Sequence, residues 1–276
     1  MKIALLQIAS GGDKMENFSA VEPRIRDAAA QGATLIVLPE AASQAFEQGR
    51  LDTQAEELDG PFATGLKKLS DELRVTFVAG MFRPADTNTV DGKEYNRVYN
   101  TALITGGGVH EGYDKIHTYD AFNYKESDTV RPGDQLVTFE HDGVTVGVAT
   151  CFDIRFPEQF QALAQRGAKV VVVPTSWADG PGKVEQWRIL TVARALDAGV
   201  FIAAADQARP DFETKAGEPS GPTGAGHSVV VGPTGQRLAE AGYGPETLVV
   251  EIDPADATEA RKELPLAEIR QHSVIR

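Results

Sequence analysis

Residues 31–40 read Q-G-A-T-L-I-V-L-P-E, and residues 166–175 read R-G-A-K-V-V-V-V-P-T, with Gly, Ala, Val and Pro in register. Internal repetition of this kind restricts the fold more than any composition does. The repeat extends well beyond these stretches. In the first half, residues 2–8 read as a buried strand. Phe18, Val21, Ile25 and Ala28/Ala29 then recur at helical spacing over residues 16–31, with Pro23 expected in the tolerant first turn and Gly32 as the stop. A strand at residues 34–38 follows, then a helix marked by Phe62, Leu66, Leu69 and Leu73, then a strand at residues 75–82. Residues 83–96 are polar and turn-rich, so a loop is expected there. Residues 99–105 and 109–113 form a hairpin around Gly106-Gly107-Gly108. Residues 119–133 read as a long irregular segment, a length usually kept for function or disorder.

The second half runs in the same order. Strand 144–150, helix 157–165, the strand inside 166–175, helix 184–198, strand 200–205 and a hairpin of 228–231 with 236–239 match the first half one for one. Two copies are too few for a solenoid. They suit two sheets packed face to face with helices outside, which is an α/β four-layer α-β-β-α sandwich. Runs such as Val170-Val171-Val172-Val173 are apolar throughout, as expected of strands covered on both faces. The rival architecture is one doubly wound sheet. No linker separates the halves, so residues 1–276 are expected to form one domain, with 254–276 as a C-terminal extension.

With 27 basic against 40 acidic residues, the chain carries a net charge of −13. That disfavours nucleic acid or an anionic membrane surface as a main partner. A single cysteine excludes an intrachain disulfide. The apolar run at residues 1–9 is too short for a signal peptide, and no stretch reaches the roughly 18–20 apolar residues of a membrane span. A cytoplasmic protein is expected. The extension holds Leu264, Leu266, Ile269, Val274 and Ile275 without a counterpart in the repeat, which predicts packing against a second copy in a homodimer or higher homo-oligomer.

In α/β sheets, ligands gather at the carboxyl ends of strands. Glu40, Cys151 and Thr175 all fall at such ends. An acid beside a cysteine is a candidate base and nucleophile. Cys151 also stands before a segment in which Pro157 opens a helix, and a helix N-terminus favours a thiolate. The competing assignments are a buried structural cysteine and a surface carboxylate. Of the five histidines (His110, His117, His141, His227 and His272), His117 is nearest a candidate position and reads as structural. No cluster has metal-ligand spacing, so neither a metal nor another cofactor is expected.

L-I-V-L-P-E ending at Glu40, Y-D-K-I-H with Lys115, and C-F-D-I-R-F-P-E starting at Cys151 occur in this order. Together they make the chain resemble the nitrilase superfamily of carbon–nitrogen hydrolases from about residue 2 to residue 252. That family's fold is the α-β-β-α sandwich. The resemblance implies a catalytic triad of Glu40, Lys115 and Cys151, with Glu126 holding Lys115 or the substrate amine. Cys151 would attack an amide carbonyl and form a thioester. Glu40 would act as base, with a pKa raised by burial. Lys115 and the backbone N–H of Phe152 would hold the oxyanion. Cys151-Phe152-Asp153 replaces the Cys-Trp-Glu of nitrilases and favours amides. The C-x-D-x-R-F-P-E form is similar to the ω-amidase and deaminated-glutathione amidase group, which takes amides of small acids with a remote carboxylate. Arg155 can pair bidentately with such a carboxylate, or form an internal salt bridge to Asp153 or Glu158. Trp177 is expected to wall the pocket or to fill the core. Gln186-Trp187-Arg188 departs from the His-Trp-Glu common in that group, which leaves the substrate open. The expected activity is hydrolysis of a small linear, carboxylate-bearing amide. An N-carbamoyl amino acid amidohydrolase, a nitrilase and a non-catalytic binding protein on the same fold are the alternatives.

Overall fold

The computed structural model describes residues 1–121 and 124–271. The first half contributes β1 (Lys2–Gln7), α1 (Lys14–Ala30), β2 (Leu35–Val37), α2 (Pro61–Leu73), β3 (Thr76–Val90), β4 (Lys93–Gly106) and β5 (Val109–Asp114). A small ribbon, β6 (Asp120–Ala121) and β7 (Tyr124–Lys125), precedes β8 (Thr138–His141). The second half contributes β9 (Val144–Val148), α3 (Pro157–Gln165), β10 (Val170–Thr175), α4 (Lys183–Ala198), β11 (Phe201–Asp206), β12 (Val229–Val231) and β13 (Arg237–Glu240). Then come β14 (Glu246–Glu251), α5 (Ala255–Glu263) and α6 (Leu266–Gln271). Two six-stranded sheets result, ordered β14-β1-β2-β3-β4-β5 and β13-β12-β11-β10-β9-β8. In each, three parallel strands lead into antiparallel ones. The repeat is therefore real in three dimensions, and the single doubly wound sheet is excluded.

Three apolar layers hold the sandwich together. Leu5, Val37, Val78, Val148, Val172 and Ala203 belong to one cluster between the sheets. Val21, Ile25, Phe62 and Leu66 seat α1 and α2 on the outer face of the first sheet. Phe160, Leu163, Trp187 and Ala195 seat α3 and α4 on the second. Strands sandwiched this way have no solvent face, so every residue of β10 is buried and the strand reads V-V-V-V-P-T without alternation. Truncating a fully buried residue such as Leu5 to Ala is expected to cost about 2–5 kcal/mol. Among the described residues, no helix is long and apolar enough to cross a membrane.

Several expectations need correction. Helix α1 starts at Lys14, capped by the Asp13 side chain, so Pro23 lies inside it rather than in its first turn. It is tolerated because Pro23 and Ser19 both face solvent, where water can satisfy the Ser19 carbonyl left without a donor. Residues 83–96 are not a loop: β3 and β4 continue as an antiparallel arm, closed by Asp91-Gly92 at φ +49° and +76°. Asp142-Gly143, at φ +49° and +74°, turns β8 into β9 in the same way. Both are the Asp-Gly signature of a two-residue hairpin. The extension splits in two. Ala257 enters the core between the sheets, and Arg261 donates to the carbonyls of Gly199, at the end of α4, and of Ala168, in the turn between α3 and β10. Leu264, Leu266 and Ile269 stay exposed. Val274, Ile275 and His272 lie outside the described residues.

Candidate active site

Three strand ends converge between the sheets. After β2 the Leu38 N–H still bonds to Val78, and the chain then turns through Pro39, Glu40 and a left-handed Ala41 at φ +59°. Gly80 permits this turn, since a Cβ there would lie 2.5 Å from the Pro39 oxygen. Past β5, the Lys115 N–H bonds to the Asn100 carbonyl. After β9 the chain enters a short 3-10 turn, Cys151–Arg155, with Cys151 left-handed at φ +46°. Such a conformation in a non-glycine residue costs roughly 1–3 kcal/mol and persists only where its surroundings enforce it. Asp153 is the enforcer. Its fully buried carboxylate accepts from Thr150 N–H (2.8 Å), Tyr113 Oη (2.5 Å), His117 N–H (3.0 Å) and His117 Nδ1 (2.8 Å). His117 also stacks on Phe156, 3.5 Å between ring centroids. It is a structural partner of Asp153.

At the centre, Lys115 Nζ donates to Glu40 Oε1 (3.0 Å) and to both oxygens of Glu126 (3.1 and 2.9 Å). Asn100 Nδ2 bridges the same two acids, at 2.7 Å from Glu40 and 3.2 Å from Glu126. The Ser176 N–H donates to Glu40 Oε2 (2.9 Å), and the Cys151 thiol points to the Ser176 carbonyl (3.8 Å). Glu40, Lys115 and Glu126 are at most 2% exposed. Glu126 comes from the long segment after Lys115, where a 3-10 turn, Glu126–Asp128, folds back so that Glu126 also accepts from Tyr119 N–H (2.6 Å).

Burial pushes the Glu40 carboxyl above its ordinary range; Lys115 opposes that rise and Glu126 adds to it. Burial alone would lower the Lys115 ammonium, but Glu126 and Glu40 outweigh it and raise it well above the usual lysine value. Burial, reinforced by Glu40, raises the Cys151 thiol well above its ordinary range. The expected helix-stabilised thiolate is therefore absent: α3 begins only at Pro157, and desolvation dominates. The Cys151 thiol thus holds its proton more tightly than a free cysteine, beside a carboxyl whose own proton affinity is raised.

A pocket over these groups opens to solvent. Phe152, Arg155 and Trp177 line it with the four central residues. Thr175 does not: it is fully buried, and its hydroxyl donates to the Val173 carbonyl (3.0 Å). The next residue, Ser176, takes that place in the wall. Arg155 bonds to neither Asp153 nor Glu158. Its guanidinium lies 5.1 Å from the Trp177 ring and 5.8 Å from Phe152, and Nη2 donates to Gln186 Oε1 (3.1 Å). Asn100, Ser176 and Asp206 were not anticipated from the sequence. Asn100 had a legible signal, a polar residue within a strand whose neighbours are buried. Asp206, fully buried at the end of β11, accepts from Trp177 N–H (2.8 Å) and Ala225 N–H (3.2 Å). Ser176 acts through its backbone, which no side-chain pattern reveals.

The profile of the carbon-nitrogen hydrolase family matches residues 2–262. The protein named Hydrolase Rv0480c from Mycobacterium tuberculosis is 44% identical over 267 residues, covering 95% of this chain and 92% of its own. Human Omega-amidase NIT2 is 30% identical over 274 residues, covering 96% and 93%. Among solved structures, a mutant of the amidase from Nesterenkonia sp. AN1 superposes with a TM-score of 0.72 at 27% identity, over 97% of this chain and 99% of that one. In that structure acrylamide has added to the active-site cysteine.

Proposed function

The chain belongs to the carbon-nitrogen hydrolase family of the nitrilase superfamily, and from that membership we propose that it hydrolyses a small linear amide bearing a carboxylate, through a thioester on Cys151. The observation that carries this reading is the closed Glu40–Lys115–Glu126 cluster against the Cys151 thiol, with Arg155 at the pocket wall. Cys151 attacks the amide carbon as its proton passes to Glu40. The oxyanion forms against Lys115 Nζ and the Phe152 N–H. Glu40 returns the proton to the leaving nitrogen, ammonia departs, and the thioester remains. Glu40 then takes a proton from water as it attacks the thioester, and the acid leaves with the thiol restored. Lys115 stays charged throughout, because two buried carboxylates hold its proton. Glu126 and Asn100 fix its position. A raised Glu40 suits this duty, since it must accept a proton and give it back.

The carboxylate on the substrate is supported by Arg155 and by the likeness to a protein named an omega-amidase. Ammonia release from ω-amides, N-carbamoyl amino acids and nitriles, assayed in parallel, tests the assignment. Turnover is expected on acid-bearing amides. Carbon dioxide evolving with ammonia, from N-carbamoyl substrates alone, would make the protein a carbamoylase, and no turnover on any of them would leave a binding protein. The exposed Leu264, Leu266 and Ile269 beside an open groove support a homodimer, which light scattering at micromolar concentration checks. A cytoplasmic location suits a cysteine nucleophile that must stay reduced.

A further inference from the structure

The start of α4 brings to the pocket's edge residues that the chemistry above does not use, with Gln186 itself exposed to solvent. Lys183 lines the pocket, and Gln186 lies one turn further along the same helix. Gln186 Oε1 accepts from Arg155 Nη2 at 3.1 Å. Trp177 completes the group, with its ring 5.1 Å from the guanidinium and its Nε1 donating to the Lys183 carbonyl (3.1 Å). Among the described residues, no carboxylate lies within ion-pair distance of Arg155. Glu185, the acid next to Gln186, is taken by Arg188, which also holds Glu240.

We propose that Gln186 is a positioning residue that sets the pocket's preference for acidic substrates. It orients Arg155 through a neutral oxygen, so the guanidinium keeps its full charge for the substrate's carboxylate. A carboxylate at the same position would orient Arg155 equally well but would neutralise it and repel the ligand. The aromatic faces of Trp177 and Phe152 flank the guanidinium plane and restrict its swing, which leaves its other N–H groups for a two-oxygen acceptor. Lys183 reinforces the local positive potential. Its pKa lies below the ordinary lysine value because of burial and then the neighbouring Arg155 charge.

This inference rests on the acid-bearing amide proposed above, and the test separates the two. The probes are succinamate and butanamide, which share a chain length and differ in the carboxylate. Gln186→Glu is expected to lower the ratio of kcat/KM for succinamate over butanamide by roughly fivefold to tenfold, through KM for succinamate. Gln186→Met, which removes the contact without adding charge, lowers it by about twofold to threefold. An unchanged ratio in Gln186→Glu, or an equal loss on both amides, would overturn the role. Calorimetric titration of Cys151→Ala with succinamate needs no turnover. Weaker binding when Gln186→Glu is added supports the assignment even if the amidase reading fails, and equal binding defeats it even if that reading stands.

Discussion

Glu40 and Thr175 occupy equivalent positions in the two copies of the repeat, yet the copies deliver different things. β2 and β10 each lie between two parallel strands and are buried throughout, with Pro39 and Pro174 at equivalent positions of the repeat. The first copy delivers a side chain, the Glu40 carboxylate, held at Oε1 by Asn100 and Lys115. The second turns its Thr175 hydroxyl back onto its own strand and delivers the Ser176 peptide group. The Ser176 backbone touches both Glu40 and Cys151, with its N–H on the Glu40 carboxylate and its carbonyl, in the next peptide group, facing the Cys151 thiol. The two sheets thus meet chemically as well as by packing. Duplication supplied two strand ends facing each other, and the chemistry required them to differ: a second buried acid at Thr175 would repel Glu40 across the gap.

The contrast breaks most visibly at the strand ends themselves. Glu40→Gln is expected to slow acylation by about 10²–10⁴-fold with the fold retained, measured by rapid-quench ammonia release. Thr175→Val at the equivalent position should cost no more than about 1 kcal/mol of stability and leave acylation largely intact. Comparable losses in both would mean that the copies share the work. Asp206→Asn is next. Replacing one of the two carboxylate oxygens that accept from the Trp177 and Ala225 N–H groups should loosen the Ser176 backbone and lower kcat by roughly tenfold to a hundredfold, with an unchanged circular dichroism spectrum. The pH profile gives a smaller effect. Because Glu40 is raised above 4.5, activity should fall on acidification at a pH higher than an ordinary glutamate would set, and kcat/KM against pH reads it directly. An acid limb at or below the free value would contradict the burial of the base. The smallest effect lies at the opposite ends of the same strands. His141 sits between Thr34 and Thr76, at 3.0 and 3.1 Å, and burial lowers its pKa below 6.5. The unfolded chain therefore takes up the proton first, and stability should decline as pH falls below 6.5. His141→Gln should flatten that decline in thermal melts.

Much of the architecture was legible because burial on both faces writes itself into long apolar runs, and the repeat made those runs comparable. Glu40 and Cys151 could be placed together because each follows such a run, whereas Lys115, which follows the mixed V-H-E-G-Y-D of β5, was legible only through the family resemblance. The polar arm at residues 83–96 was missed because its pairing alternates weakly, although Asp91-Gly92 marked its turn. β14 was missed because its half-buried T-L-V-V core is short and lacks a partner in the repeat order. The state of Cys151 was read from the helix expected after it, when the surrounding protein decides it. The Ser176 peptide could not be foreseen, because a backbone group has no residue type.

Rapid quenching of the wild-type protein with succinamate, followed by peptide mass analysis, tests the mechanism most directly. A succinyl adduct located on Cys151, formed at a rate that matches ammonia release and absent in Glu40→Gln, is the expected result. Undiminished turnover in Cys151→Ala, or an acyl group trapped on any other residue, would contradict it.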